Sequence, residues 1–214
     1  MNREEDDVRV TVRQVSSLLP HEETIPSHVI QVVEQLKRDG VQKDPVIIDQ
    51  KDGVVLDGMH RLAAFRLLGL ESVICSPVDY SSSSIGLHRW ARVFGGGSDR
   101  DFATAAEVVG ALTRARLVDG MEALERKECP LVVIVNGDCY LLNKEAGMVG
   151  GLVAVRGLDA LAEAGGWERT FVPEDDAVVP INSGKQMVVL LQRLRKGDVV
   201  EAALKARLLP CKTT

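Results

Sequence analysis

The sequence predicts a mixed α+β fold, and three observations predict it. Short apolar runs and helical 3–4 periodicities alternate irregularly along the chain. Two turn signals, Asp52-Gly53 and Asn136-Gly137, each separate a pair of apolar runs and mark hairpins, which a regular parallel sheet does not need. The balance of 45% hydrophobic and 27% charged residues over 214 positions is that of a chain with a buried core, and the 4% aromatic share makes that core aliphatic.

Taken in order, Val8–Val12 reads as a first strand. Ser27–Asp39 reads as a helix on Val29, Val32, Val33 and Leu36, with Ser27 as N-cap and Gly40 as stop. Pro45–Asp49 reads as a buried strand, Lys51–Gly53 as a tight turn and Val54–Leu56 as the return strand. His60–Leu68 is helical, Gly69 ends it, and 72–78 make another strand. After the polar loop Ser81–Ser84, Leu87–Phe94 reads as a short helix, and Gly95–Gly97 as a linker that could also hinge. The chain is divided there, into a domain at 1–95 and a C-terminal α+β part at 96–214. Thr104–Lys127 reads as a long helix with Gly120 as its candidate break. Leu131–Val135 and Cys139–Leu142 form the second hairpin, 152–164 a helix, Arg169–Val172 and Met187–Gln192 strands, and Asp198–Arg207 the closing helix.

Composition also excludes. A formal charge of −5 argues against a general nucleic-acid or acidic-membrane binder. No apolar run has the roughly 18–20 residues of a membrane span, and the acidic start lacks the apolar stretch of a signal peptide. Cys75, Cys129, Cys139 and Cys211 form no C-x-x-C and no cluster with histidine, so reduced, metal-free thiols in a cytoplasmic protein are expected. No phosphate-loop string and no protein-kinase motif set occurs; Gly150-Gly151 is not followed by Lys-Ser/Thr.

The stretch with most chemistry is Leu56-Asp57-Gly58-Met59-His60-Arg61-Leu62-Ala63-Ala64. A strand ends at Asp57 and a helix begins within two or three residues. Gly58 permits the reversal, the helix start offers N–H groups to an anion, and His60 and Arg61 add donors at the same place. Asp57 stands where it could hold a metal or a substrate hydroxyl. The same residues also suit a capped helix with Asp57 as N-cap and His60 and Arg61 on a solvated face.

The whole passage from Pro45 to Leu70, with Leu19-Pro20-His21-Glu22-Glu23 upstream, resembles the core of the ParB/sulfiredoxin superfamily. In that fold a Gly-x-x-Arg turn grips nucleotide phosphates. Sulfiredoxins carry a reactive Cys where this chain has Met59. Partition proteins carry Gly-Glu-Arg-Arg and a basic DNA-binding half. The free L-serine kinases carry Pro-His-Glu, Asp-Gly-His-His-Arg, a later Trp and Lys-Thr-Thr. Here stand Pro20-His21-Glu22, Asp57-Gly58-Met59-His60-Arg61, Trp90 and Lys212-Thr213-Thr214. Met59 departs from the first His of the family's pair, and the family's Arg-His after Lys-Thr-Thr is not in this sequence.

The resemblance implies a kinase that passes a phosphoryl group from ADP or ATP to L-serine with Mg²⁺, and it does not choose between the two donors. Glu22 would be the general base, with Glu23 as runner-up. Asp57 would orient serine or hold Mg²⁺. His60 and Arg61, with Gly58 and Met59, would bind the transferring phosphate, His60 also acting in catalysis. Trp90 would wall the amino-acid pocket, while Trp167 is expected to pack. Lys212, Thr213 and Thr214 would return to the nucleotide. No nucleic acid and no membrane partner is expected. The alternative is a ParB-like nucleotide-binding regulator associated with DNA.

Overall fold

The computed structural model describes residues 10–97, 101, 104–105, 109–110, 112–178, 181 and 186–214. Strand β1 (Thr11–Gln14) leads through a 3-10 turn at Val15–Ser17 toward helix α1 (Pro26–Asp39). The helix starts on Pro26, whose absent N–H would have had no partner in the first turn anyway. Ser27 therefore lies inside the helix rather than capping it; the N-cap is Ile25, without a side-chain hydrogen bond. Strands β2 (Val46–Asp49) and β3 (Val55–Asp57) pair antiparallel across the expected turn. Helix α2 (Met59–Leu67) follows, then β4 (Ser72–Val78), the span read from sequence.

The next strand, β5 (Trp90–Gly95), replaces the helix expected at Leu87–Phe94. Both of its faces are buried, and an arginine, Arg92, points into one of them, so no period-2 polarity shows in the sequence. Thr104, Ala105 and Val109 are helical, as expected, but from Leu112 on strand β6 (Leu112–Ala115) and helix α3 (Leu117–Glu125) replace the single helix expected at Thr104–Lys127. Gly120 does not break α3. A Cβ there would stand 2.4 Å from Cys139 Sγ, so glycine is what lets the helix close on the neighbouring strand. Strands β7 (Leu131–Val135) and β8 (Asp138–Leu142) form the expected hairpin. Helix α4 (Gly147–Gly165), strands β9 (Glu168–Pro173) and β10 (Met187–Leu191), and helix α5 (Lys196–Leu204) complete the order.

Two compact units result: Met1–Gly86 with Arg195–Cys211, and Leu87–Leu194 with Lys212–Thr214. The first contains a four-stranded sheet in the order β1-β4-β2-β3, with β2 and β4 parallel. Met59, Leu62 and Phe65 of α2 pack on Val46, Ile48, Val55 and Val73 of that sheet, and Val29 and Val33 of α1 pack on Ala64. The second contains a six-stranded antiparallel sheet in the order β6-β8-β7-β10-β5-β9. Ala154, Val155 and Leu158 of α4 cover one face and Leu124 of α3 the other, which is why β7 and β10 read as unbroken apolar runs.

These units differ from a division at residue 95. Trp90–Gly95 hydrogen-bonds to β9 and β10, so it belongs with the later strands. Helix α5 returns to the first unit, where Lys196 Nζ donates to the Ser82 carbonyl at 2.6 Å and lies 5.1 Å from the Tyr80 ring centre. No helix among the described residues is long and apolar enough to cross a membrane.

Candidate active site

Backbone pairing holds the Pro20–Glu23 segment in the first unit on both sides. Val55 donates its N–H to the Leu19 carbonyl at 2.9 Å. On the other side Leu209 donates to the His21 carbonyl at 2.9 Å and accepts from the Glu23 N–H at 2.8 Å. This places Glu22 in a pocket of about 600 Å³, which Thr24, Met59, Arg66 and Leu208 also line. Glu22 is only 8% exposed. Glu23, the runner-up, does not line that pocket.

Gly58 caps α2 at φ 93°, and Asp57 does not: its carboxylate instead accepts from Arg61 Nη2 at 2.6 Å. Arg61 thus folds back over Gly58, where a Cβ would stand 2.8 Å from Arg61 Nε. The Nε is buried and has no hydrogen-bond partner among the described residues. A donor left so beside a helix start is suited to an oxyanion. The Met59 side chain is mostly buried in the core and lines the Glu22 pocket, so only its backbone N–H could serve a phosphate. His60 accepts the Ile25 N–H on Nε2 at 3.0 Å, which leaves Nδ1 as its proton-bearing nitrogen. It therefore ties the start of α1 to the Gly58 turn.

In the second unit the tail and Trp90 come together. Lys212 Nζ lies 4.2 Å from the centre of the Trp90 ring, a cation–π contact, and Thr213 is 4% exposed. Trp167 packs edge-on against Phe94 with ring centres 6.4 Å apart, as its packing role required. Arg89 is paired with Glu125 at 2.5 Å and Glu174 at 2.6 Å, and Arg193 with the same two carboxylates, so these cations serve the fold.

Sequence reasoning gave no role to His21, although it stands inside the quoted motif. It is 3% exposed and donates Nδ1–H to the Val55 carbonyl at 2.6 Å. Burial holds its pKa below 6.5 against the opposing pull of Glu22. Arg66 and Thr24 were also unnoticed; neither falls in a motif, and only the packing of α2 beside the loop brings them to the pocket.

A free serine kinase solved in complex with AMP superposes on 96% of this chain and 86% of its own, with a TM-score of 0.78 at 19% identity. The fold is that of the free serine kinases. In sequence, the chain is 35% identical over 80 residues to an ATP-dependent L-serine kinase of Staphylothermus marinus, 36% of this chain and 32% of that protein. It is also 37% identical over 86 residues to a ParB-like protein of Sulfolobus acidocaldarius, 40% of this chain and 43% of that one. The matched stretch spans less than half the length of either curated relative. No family model matches the chain. Fold and sequence together support the resemblance to L-serine kinases of the ParB/sulfiredoxin-like superfamily.

Proposed function

We propose that this protein is a cytoplasmic small-molecule kinase that transfers a phosphoryl group from ATP or ADP to free L-serine, giving O-phospho-L-serine. The observation that carries the reading is the pairing of Glu22 with the Gly58 turn. A buried carboxylate shares a pocket with the first residue of a helix whose start is built for an oxyanion. Serine's hydroxyl is a poor nucleophile at neutral pH, and phosphoryl transfer needs positioning, charge stabilisation and a base to take the proton. Glu22 would be that base. The N–H groups from Gly58 to Arg61 and the Arg61 guanidinium would hold phosphate oxygens. The first compact unit would carry the nucleotide-binding core.

Among the described residues no group of three His, Cys, Asp or Glu side chains could hold a metal. The residues fit Mg²⁺ only as an ion brought by the nucleotide, since Mg²⁺ is commonly held by one or two carboxylates, phosphate oxygens and water. Asp57 would be the carboxylate that meets it, and its Oδ2 also accepts from Arg61. When bound, the ion would neutralise phosphate charge.

The test is incubation with L-serine, Mg²⁺ and either ATP or ADP, with mass-spectrometric detection of phosphoserine. Product with one donor and not the other settles the donor. Nucleotide binding without any phosphoserine would favour the second reading, a nucleotide-binding regulator, to which the similarity to a ParB-like protein points.

A further inference from the structure

One residue far along the chain holds the backbone of Glu22 on both sides. Leu209 donates its N–H to the His21 carbonyl at 2.9 Å and accepts the Glu23 N–H at 2.8 Å, an isolated parallel bridge centred on Glu22. These two groups belong to the peptide planes on either side of the Glu22 Cα. With both planes held, the direction of its Cα–Cβ bond is set. Leu209 is itself constrained. Its residue is 6% exposed, and Pro210 bars the position before it from helical backbone and favours the extended one that a bridge needs. Helix α5 delivers this segment within the same compact unit. Its start is tied by Lys196 to the Ser82 carbonyl at 2.6 Å. Its end is closed by two bonds, Arg207 N–H to the Ala202 carbonyl at 2.9 Å and Ala206 N–H to that of Ala203 at 3.0 Å. The left-handed residue of this stop is Ala206 at φ 49°, where glycine is usual. The turn that sends the chain toward Leu209 thus carries the strain of an L side chain.

We propose that Leu209 is a positioning residue for Glu22 and that it acts through its backbone. The catalytic consequence rests on the kinase reading, with Glu22 as its base; the clamp itself does not. A carboxylate works as a base only within hydrogen-bond reach of the hydroxyl whose proton it takes. A misplacement of about 1 Å at such a group can cost about 10²-fold in rate. A displaced base slows the chemical step more than it weakens substrate capture, so loss of the clamp shows in kcat rather than in KM.

Two substitutions at this one position separate backbone from packing. Leu209→Pro removes the N–H that the His21 carbonyl receives and keeps an apolar ring. Leu209→Ala keeps both backbone bonds and loses most of the buried side chain. The expected result is a kcat about tenfold or more lower in Leu209→Pro, with KM for serine within about twofold, and a smaller loss in Leu209→Ala. Equal losses, or a greater loss in Leu209→Ala, would mean that Leu209 only packs, and overturn the proposal. Amide hydrogen exchange, followed by NMR in the unmodified protein, tests the clamp without turnover and without a variant that must fold. The Leu209 and Glu23 amides close one bridge, so a single opening exposes both, and their protection factors should agree within about fivefold. A wider gap, or no protection at either amide, overturns the clamp. If the unmodified protein makes no phosphoserine, the kinase reading falls, and exchange alone decides whether Leu209 holds Glu22.

Discussion

Glu22 joins a buried carboxylate to a polar task. Burying a carboxylate costs stability unless it is paired or hydrogen-bonded, and the proposed task gives Glu22 a reason to be there. Glu22→Gln keeps the shape and removes the proposed base, so the protein should fold and bind nucleotide while turnover falls by about 10²–10⁴. Near-normal kcat in this variant would remove Glu22 from the mechanism. Arg61 makes a different kind of contribution. Its fork is held by Asp57 at 2.6 Å, and its buried Nε has no hydrogen-bond partner among the described residues. Arg61→Ala should weaken nucleotide binding by about tenfold or more, the loss of one charge-assisted contact, and serine binding much less. Calorimetry with each ligand reads this, and equal losses for both would count against the assignment.

Element by element, the site depends on how strands hand over to helices. Strand β3 ends at Asp57 and α2 begins at Met59, leaving one residue to reverse the chain. Gly58 does so at φ 93°, where an L side chain is strained, and Arg61 occupies the space a side chain would need. Gly58→Ala should therefore cost about 1–2 kcal/mol in denaturant unfolding from backbone strain. It should also push Arg61 away and weaken nucleotide binding. An alanine variant with unchanged stability and binding would show that the turn tolerates other geometries. The loop ahead of α1 is held by elements distant in sequence: Val55 and His60 from one side and Leu209 from the other. Arg92 illustrates the same dependence in β5, where Asp159 of α4 lies 3.4 Å away and makes an inward arginine tolerable.

Over the whole molecule the four cysteines are buried and unlinked, two in each compact unit. Burial pushes the Cys75 and Cys129 thiols up and takes Cys139 to about 11. The reactive thiolate is thus scarce and shielded at neutral pH. A thiol reagent such as dithionitrobenzoate should modify none of the four in the native protein within minutes, and all four once denaturant is added. A single fast-reacting thiol under native conditions would mark a segment that opens. The chain leaves the first unit after Gly86, builds the second, and returns at Arg195. Completion of the first unit therefore needs a segment far along the chain, since Leu209 pairs with His21 and Glu23.

What the sequence determined by itself was local. The α1 helix, the β2–β3 turn, strand β4 and the β7–β8 hairpin are set by periodicity and turn residues, which act over a few positions. The Gly58 turn was legible as well, from its chain geometry, while Glu22 is singled out by a motif resemblance. Tertiary structure decided the rest. Leu87–Phe94 carries apolar residues at helical spacing, yet it forms β5 because β9 and β10 supply hydrogen bonds and both faces find cover. Leu112–Ala115 becomes a strand because β8 lies beside it. The closing helix belongs to the first unit because Lys196 meets Ser82 and Tyr80 there. The setting of His21 was hidden for the same reason. A histidine next to a glutamate says nothing in sequence about its ring. A carbonyl from Val55, 34 residues away, fixes which nitrogen holds the hydrogen and which one lies near Glu22.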